Sequence, residues 1–404
     1  MGILKTTIFI KKIKTNIIMK NKNKFTDIEL KYLSEVLGLD SRSSTSSTFT
    51  NRLEDECAQL FENKYCIAQN SGTCTLQTAL LALGVGHGDE VISPAFSVIM
   101  NTSTTLHCGA IPVYVDIDPE TYCICPIDLR KKITSKTKAV QVVSVYGQSP
   151  EYDEILKICN EFKIPIVEDN AETVFGYYKG KQVGTFGDFS SMSFEDSKHL
   201  SCGEGGILLG NNPELMAKAR KFAGQGFRTL SAKSGLIRLN PEQWQSPEFM
   251  RHDTIGYNYR ITEFQSAVAL AQVHRIDELV GWRKKSGKAI TELISDSSLF
   301  LTQNTPEYIE HSFWCVGARL QEDLETWYKF RDFLFKSCGE RLFGAWQVPY
   351  NEPVMQSGDF KRYLHDDFKG VSYEKGLCPN AESIQKNMMV FKTKYRNQKS
   401  LDNL

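Results

Sequence analysis

Residues 189–210 read FSSMSFEDSKHLSCGEGGILLG: a strand, a short loop carrying Lys198, then the turn Gly203-Glu204-Gly205-Gly206 into another strand. Upstream, residues 164–169 (IPIVED) form a short apolar run that ends on two acids. Runs of this length and composition suit strands covered by helices on both faces. Others occur at 65–69, 90–93, 111–115 and 139–146. Helical patterns fall between them at 52–61 (with Asn51 as cap), 73–83, 98–107, 126–133 and 151–162. This alternation predicts a doubly wound, mostly parallel α/β sheet. Ligands in such sheets bind at the carboxyl ends of the strands, where Asp169 falls. The strand at 203–210 is expected to return antiparallel, because only a short loop separates it from 189–194.

Further along, 263–279 reads as one long amphipathic helix leading into a smaller domain with a helix at 325–336. The expected division is a large domain over 25–284 and a small C-terminal α/β domain over 285–404. Residues 1–24 carry seven lysines and no acid, which suggests a disordered basic extension, with Met19 as an alternative start. The stretch lacks the small-residue cleavage site of a secretory signal. The polar run 41–51 (SRSSTSSTFTN) is expected to be a loop.

Composition narrows the function classes. Of 404 residues, 41% are hydrophobic and 24% charged, as in ordinary globular proteins. Basic and acidic residues both number 48, so no global field favours nucleic acid or an anionic membrane. No apolar run reaches the length of a membrane span. Eleven scattered cysteines without a CxxC pair argue against a structural metal and for reduced thiols in a cytoplasmic protein. Cys202, close to Lys198, is expected to pack rather than react.

The chemistry resides in a few positions. A lysine on a loop and a carboxylate at a buried strand end are the two groups a pyridoxal 5'-phosphate site needs. Lys198 would form the Schiff base, and Asp169 would keep the pyridine nitrogen protonated. Gly72 and Thr73 open a helix directly after a strand, where free N–H groups and the helix dipole suit a phosphate. Ser193 could add a hydroxyl. The bland alternative at 71–73 is a simple helix cap.

Five segments occur in order: SGTCTLQTALLALGVGHGDEV from Ser71, PVYVDIDPETY from Pro112, VEDNAE from Val167, the Lys198 loop with GEGG, and GYNYRITEFQSAVALAQ from Gly256. Together they resemble the DegT/DnrJ/EryC1/StrS family of sugar aminotransferases, pyridoxal phosphate enzymes of fold type I. The resemblance is strong over about 49–279 and loose beyond. It implies that Lys198 binds the cofactor covalently and later shuttles a proton, and that Asp169 pairs with the ring nitrogen. Glu172 would face the phenolic oxygen, where the family usually has glutamine. Gly72, Thr73 and Ser193 would hold the phosphate; Asn258 would reach that of a partner subunit, with Arg260 close by. A homodimer with shared active sites follows from that arrangement.

Two departures stand out. Val98 occupies a position where many members stack an aromatic ring on the cofactor, leaving Phe96 to contribute indirectly. The C-terminal MMVFKTKY lacks the prolines common in members that handle nucleotide-linked sugars. The implied activity is amino transfer from glutamate or glutamine to a keto sugar, free or nucleotide-linked. The alternatives are sugar dehydration, transfer to a cyclitol or small phosphorylated ketone, or a non-catalytic regulatory homologue. Relatives that dehydrate carry histidine in place of the lysine. His199 and His252 are expected to be structural, and Trp346, Tyr350 and Glu352 could line an acceptor pocket.

Overall fold

The computed structural model describes residues 24–43, 48–238, 240–338 and 341–394. Residues 1–23 of the expected basic extension and 44–47 of the polar loop lie outside these ranges. Lys24, assigned to the extension from sequence, is inside them and buried.

Helices α1 (Asp27–Leu37) and α2 (Phe49–Leu60) precede the alternating core. There follow β1 (Tyr65–Gln69), α3 (Gly72–Ala82), β2 (Glu90–Pro94), α4 (Met100–His107), β3 (Ile111–Val115), α5 (Pro126–Lys132), β4 (Thr137–Val143), α6 (Tyr152–Phe162) and β5 (Ile166–Asp169). A small ribbon, β6 (Tyr177–Tyr178) and β7 (Lys181–Gln182), leads to β8 (Phe189–Ser193), β9 (Gly206–Gly210) and α7 (Pro213–Ala223). The seven-stranded sheet has the order β1-β9-β8-β5-β4-β2-β3. Only β9 runs against the others; it pairs antiparallel with both β8 and β1. The carboxyl ends of β1, β2, β4, β5 and β8 therefore share one edge.

Each strand is buried on both faces, which explains the near-continuous apolar runs. On one face Leu76, Ala79 and Leu80 of α3 pack with Val167 and Leu208. Truncating a core leucine such as Leu80 to alanine costs about 2–5 kcal/mol.

Two sequence expectations need correction. Asn51 does not cap the second helix, which starts at Phe49 after Thr48. Its first N–H groups are taken instead by the carboxylate of Glu263, at 3.0 Å from Thr48 N, 2.7 Å from Phe49 N and 3.2 Å from Thr50 N. The expected single helix at 263–279 is two: α8 (Glu263–Val273), capped by Thr262, and α9 (Ile276–Ser295). Arg275 lies between them with φ −115° and ψ 15°, and its guanidinium reaches Glu29 at 2.9 Å.

Residue 285 falls midway along α9, which carries the chain to a three-stranded antiparallel sheet. That sheet comprises β10 (Phe300–Thr302), β12 (Cys315–Leu320) and β13 (Met388–Lys392); β11 (Ile309–Glu310) pairs back onto β6. Helix α10 (Leu324–Cys338) belongs to the same region, and the proline-free MMVFK segment is β13 itself. Among the described residues no helix is long and apolar enough to cross a membrane.

Candidate active site

The shared strand edge gathers most of the expected residues. β5 ends on two adjacent acids with opposite fates, since successive side chains point to opposite faces. Glu168 is enclosed by the hydroxyl of Tyr152 at 2.7 Å and the N–H groups of Gly184, Phe186 and Gly187 at 2.6–2.8 Å. Asp169, on the other face, accepts from Asn101 Nδ2 at 2.9 Å and from Ala171 N at 3.2 Å. Burial pushes its carboxyl above the ordinary range, and the Asn101 bond, the Ala171 N–H and the nearby Lys198 charge oppose that shift.

Lys198 Nζ lies 3.7 Å from Glu172 Oε1 and 4.1 Å from the ring centroid of Trp314. Glu172 is buried, and its second oxygen accepts from Tyr146 N at 2.8 Å. Tyr146 takes φ 61°, a left-handed conformation that turns this N–H toward the carboxylate. Burial raises the Glu172 pKa to about 7; Lys198 and the Tyr146 N–H pull it down, while Asp169 pushes it up.

The residues expected to hold a phosphate also lie close together. Ser71 caps α3 by accepting from Cys74 N at 3.1 Å. Gly72 and Thr73, at the first two helical positions, keep their N–H groups outside the intrahelical ladder. A Cβ on Gly72 would sit 3.0 Å from Ser193 Cβ, so helix start and strand end touch. A Cβ on Gly206 would meet Gly72 N at 2.6 Å, so the close approach also depends on Gly206 lacking a side chain. Helix-start N–H groups, a buried carboxylate with two donors and a lysine whose charge acts on that carboxylate fit pyridoxal phosphate.

The other expected residues make no hydrogen bond or ion pair with Lys198, Asp169 or Glu172 among the described residues. Val98 is half-buried just before α4. Phe96 packs in the core against Tyr146, with centroids 6.0 Å apart, so it reaches the site only through that ring. Arg260 lies beside the end of β1, pairing through its backbone with Gln69 and donating to Gln225 Oε1 at 2.9 Å. Asn258 is exposed, and no hydrogen bond or ion pair among the described residues ties it to Lys198, Asp169 or Glu172. His252 packs on Phe227, and its Nδ1 lies 2.8 Å from Gln225 O. His199 is buried with Nε2 3.0 Å from Ser312 O, and desolvation holds its imidazole well below the usual pKa. Burial pushes the Cys202 thiol up to about 12, consistent with packing.

A cavity of about 360 Å³ opens next to the lysine loop, lined by Tyr146, Ser197, Trp314, Phe343, Trp346 and Lys392 among others. Trp314 and Trp346 stack at 5.9 Å with their planes 9° apart. Of the acceptor-pocket expectations only Trp346 is there. Tyr350 is buried in the core, bonded to Glu382 at 2.6 Å, and Glu352 precedes a short helix.

Sequence reasoning missed Asn101, which holds Asp169 and also donates to Gln141 Oε1 at 2.7 Å. It missed Trp314 too, which lies in a loosely patterned region. Asn101 lies in a helix that is polar along its length (MNTSTTLH), so the sequence offered no signal to single it out.

The chain is similar to several known proteins. A GDP-perosamine synthase from Escherichia coli O157:H7 is 32% identical over 366 residues, covering 91% of this chain and 94% of the relative. An L-glutamine:2-deoxy-scyllo-inosose aminotransferase from Micromonospora echinospora is 32% identical over 276 residues, 68% of this chain and 64% of the relative. A UDP-2-acetamido-2-deoxy-3-oxo-D-glucuronate aminotransferase from Pseudomonas aeruginosa is 37% identical over 234 residues, 58% of this chain and 60% of the relative. Among solved structures, an aminotransferase from Psychrobacter cryohalolentis superposes with a TM-score of 0.81 at 24% identity, covering 96% of both chains. A GDP-4-keto-6-deoxymannose-3-dehydratase with bound GDP-perosamine gives 0.81 at 22% identity, over 95% of this chain and 97% of the other. The model of the DegT/DnrJ/EryC1/StrS aminotransferase family matches residues 25–395, and the chain belongs to that family of aminotransferases.

Proposed function

We propose that the chain uses pyridoxal 5'-phosphate to move an amino group from glutamate or glutamine to a keto sugar, free or nucleotide-linked, as a homodimer. The observation that carries this reading is the buried cluster of Lys198, Glu172 and Asp169 at one sheet edge, beside the Gly72–Ser193 cradle. When bound, the cofactor supplies an electron sink for the carbon that loses its proton. Asp169 holds a proton at the ring nitrogen, and Asn101 fixes its orientation. Gly72, Thr73 and Ser193 bind the phosphate. The Lys198 amine would anchor the cofactor and is placed to carry a proton between the reacting carbons. Glu172, in its protonated form, would be a donor to the cofactor's phenolic oxygen. The stacked tryptophans offer flat apolar walls to a sugar ring, and Lys392 places a positive charge on the same cavity.

The keto-sugar acceptor is supported by the relatives named GDP-perosamine synthase and glucuronate aminotransferase. The scyllo-inosose relative favours a second reading, a cyclitol ketone as acceptor. The test is the visible absorption of protein loaded with pyridoxal phosphate, before and after adding L-glutamate or L-glutamine. Loss of the band with release of the donor's oxo acid supports amino transfer; acceptor ketones then separate sugar from cyclitol. A protein that forms no band contradicts the proposal.

A further inference from the structure

Lys24 is 4% exposed, and its ammonium group is turned toward the loop that bears Lys198. Its Nζ donates to the carbonyl of Lys198 at 2.8 Å and to that of Asp196 at 3.0 Å. From another direction Arg283 of α9 donates to the carbonyls of Ser197 at 2.5 Å and Lys198 at 2.9 Å. The indole N–H of Trp314 also donates to Ser197 O, at 3.0 Å. Three consecutive carbonyls, of residues 196, 197 and 198, are thus held by two cations and an indole. Inside the loop, Lys198 N donates to Glu195 O at 3.0 Å, a tight turn that leaves those carbonyls facing outward.

Loop carbonyls can be satisfied by water or by neutral donors. Burying an ammonium group for the purpose is expensive, and a charged donor is the stronger and less yielding partner. Lys24 is itself fixed. Its own carbonyl accepts from Gln272 Nε2 at 3.1 Å and Arg275 Nη1 at 2.9 Å. The adjacent Thr26–Glu29 capping box anchors the start of α1, and Glu29 meets Arg275 at 2.9 Å. The other terminal nitrogen of the Arg283 guanidinium, Nη1, donates to the carbonyl of Trp314 at 2.7 Å, on the wall of the acceptor cavity.

We infer that Lys24 is a positioning residue for Lys198, which together with Arg283 clamps the backbone of the reactive lysine so that only its side chain moves during the reaction. This rests on the assignment of Lys198 as the cofactor-binding lysine. A fixed Cα sets where the amine meets the cofactor's aldehyde, and misplacement by about 1 Å can cost as much as a hundredfold in rate. Lys24 does not line the cavity, so its loss should slow the reaction of Lys198 more than it weakens retention of cofactor.

The experiment uses the full chain stripped of cofactor and mixed with pyridoxal phosphate. Growth of the visible band is followed by stopped flow, and covalent attachment at Lys198 is confirmed by borohydride reduction and peptide mass spectrometry. Lys24→Met is expected to slow covalent capture about tenfold or more. Lys24→Arg, which keeps charge and donors, should return to within about twofold of wild type. Should Lys24→Met fold poorly, judged by its melting midpoint, Lys24→Gln takes its place with the same expected ordering. Equal capture rates in wild type and Lys24→Met would overturn the inference, as would a Lys24→Arg variant as slow as Lys24→Met. A wild-type protein that forms no band overturns the cofactor assignment as well, and so is distinguishable from failure of the clamp alone.

Discussion

At Glu172 burial works against the two groups that would keep the carboxylate charged, Lys198 and the Tyr146 N–H. The result is a folded-state pKa of about 7, above the value in the unfolded chain, so the native apoprotein binds a proton that the unfolded chain has released. Stability from this group is therefore full below the ordinary glutamate range, falls as pH rises through the window up to about 7, and is absent above it. At pH 8 the ionised, buried side chain costs about 3 kcal/mol. Glu172→Gln apoprotein should accordingly melt several degrees above wild type at pH 8 and close to it at pH 5. Coincident midpoints at pH 8 would refute the assignment. Transfer rates should decline above pH 7 in wild type and stay flatter in the glutamine variant. Lys198→Ala is expected to abolish turnover, and Asp169→Asn to lower it by roughly a hundredfold or more, in a donor half-reaction assay. Lys198 and Asp169 could be singled out as candidates because a loop lysine and a strand-end acid are chemically suggestive on their own. Asn101, Trp314, Lys24 and Arg283 were not, since each acts through a carboxylate, a ring face or a carbonyl that only the fold brings within reach.

Most elements could be read from the chain because buried strands need uninterrupted apolar runs; the expected bounds of β1 and β3 match the observed ones. The errors fall where a distant group intervenes. Glu263 caps α2 from 213–215 residues away, so no local pattern could show where that helix begins. Likewise the break before α9 serves Arg275, whose partner Glu29 lies on α1. The meeting of β9 with the start of α3 offers a sharper test. At Gly206 an added methyl would meet backbone atoms, Gly72 N at 2.6 Å and Ser71 C at 2.7 Å, that cannot swing aside. Gly206→Ala should cost about 1–3 kcal/mol of stability by overpacking. It should also shift the α3 N-terminus enough to weaken cofactor binding about tenfold. A pyridoxal phosphate titration reads the second effect; unchanged affinity would show that the helix start is not the phosphate site.

Across the whole molecule, the segment carrying Asn258 presents an apolar surface unusual for a protein that stands alone. Ile255 is 92% exposed and Met250 74%, with Tyr257 also open to solvent. A second copy of the chain covering this face would bury those side chains and deliver Asn258 to the neighbouring site. Ile255→Lys is expected to shift the protein toward monomer in sedimentation velocity and to remove activity in the same measure. An active monomeric variant would exclude shared sites.

The carbonyl clamp has a consequence for the order in which the enzyme matures. The β8–β9 hairpin that flanks Lys198 pairs locally, whereas its braces come from residues 174 positions upstream and 85 downstream. Closing such distant contacts lags behind local pairing. On dilution from denaturant, backbone ellipticity should return first and the ability to capture pyridoxal phosphate later; simultaneous recovery would contradict this. A chain still acquiring its last contacts would then hold the β8–β9 hairpin but an idle lysine, unreactive until Lys24 and Arg283 have docked on its loop.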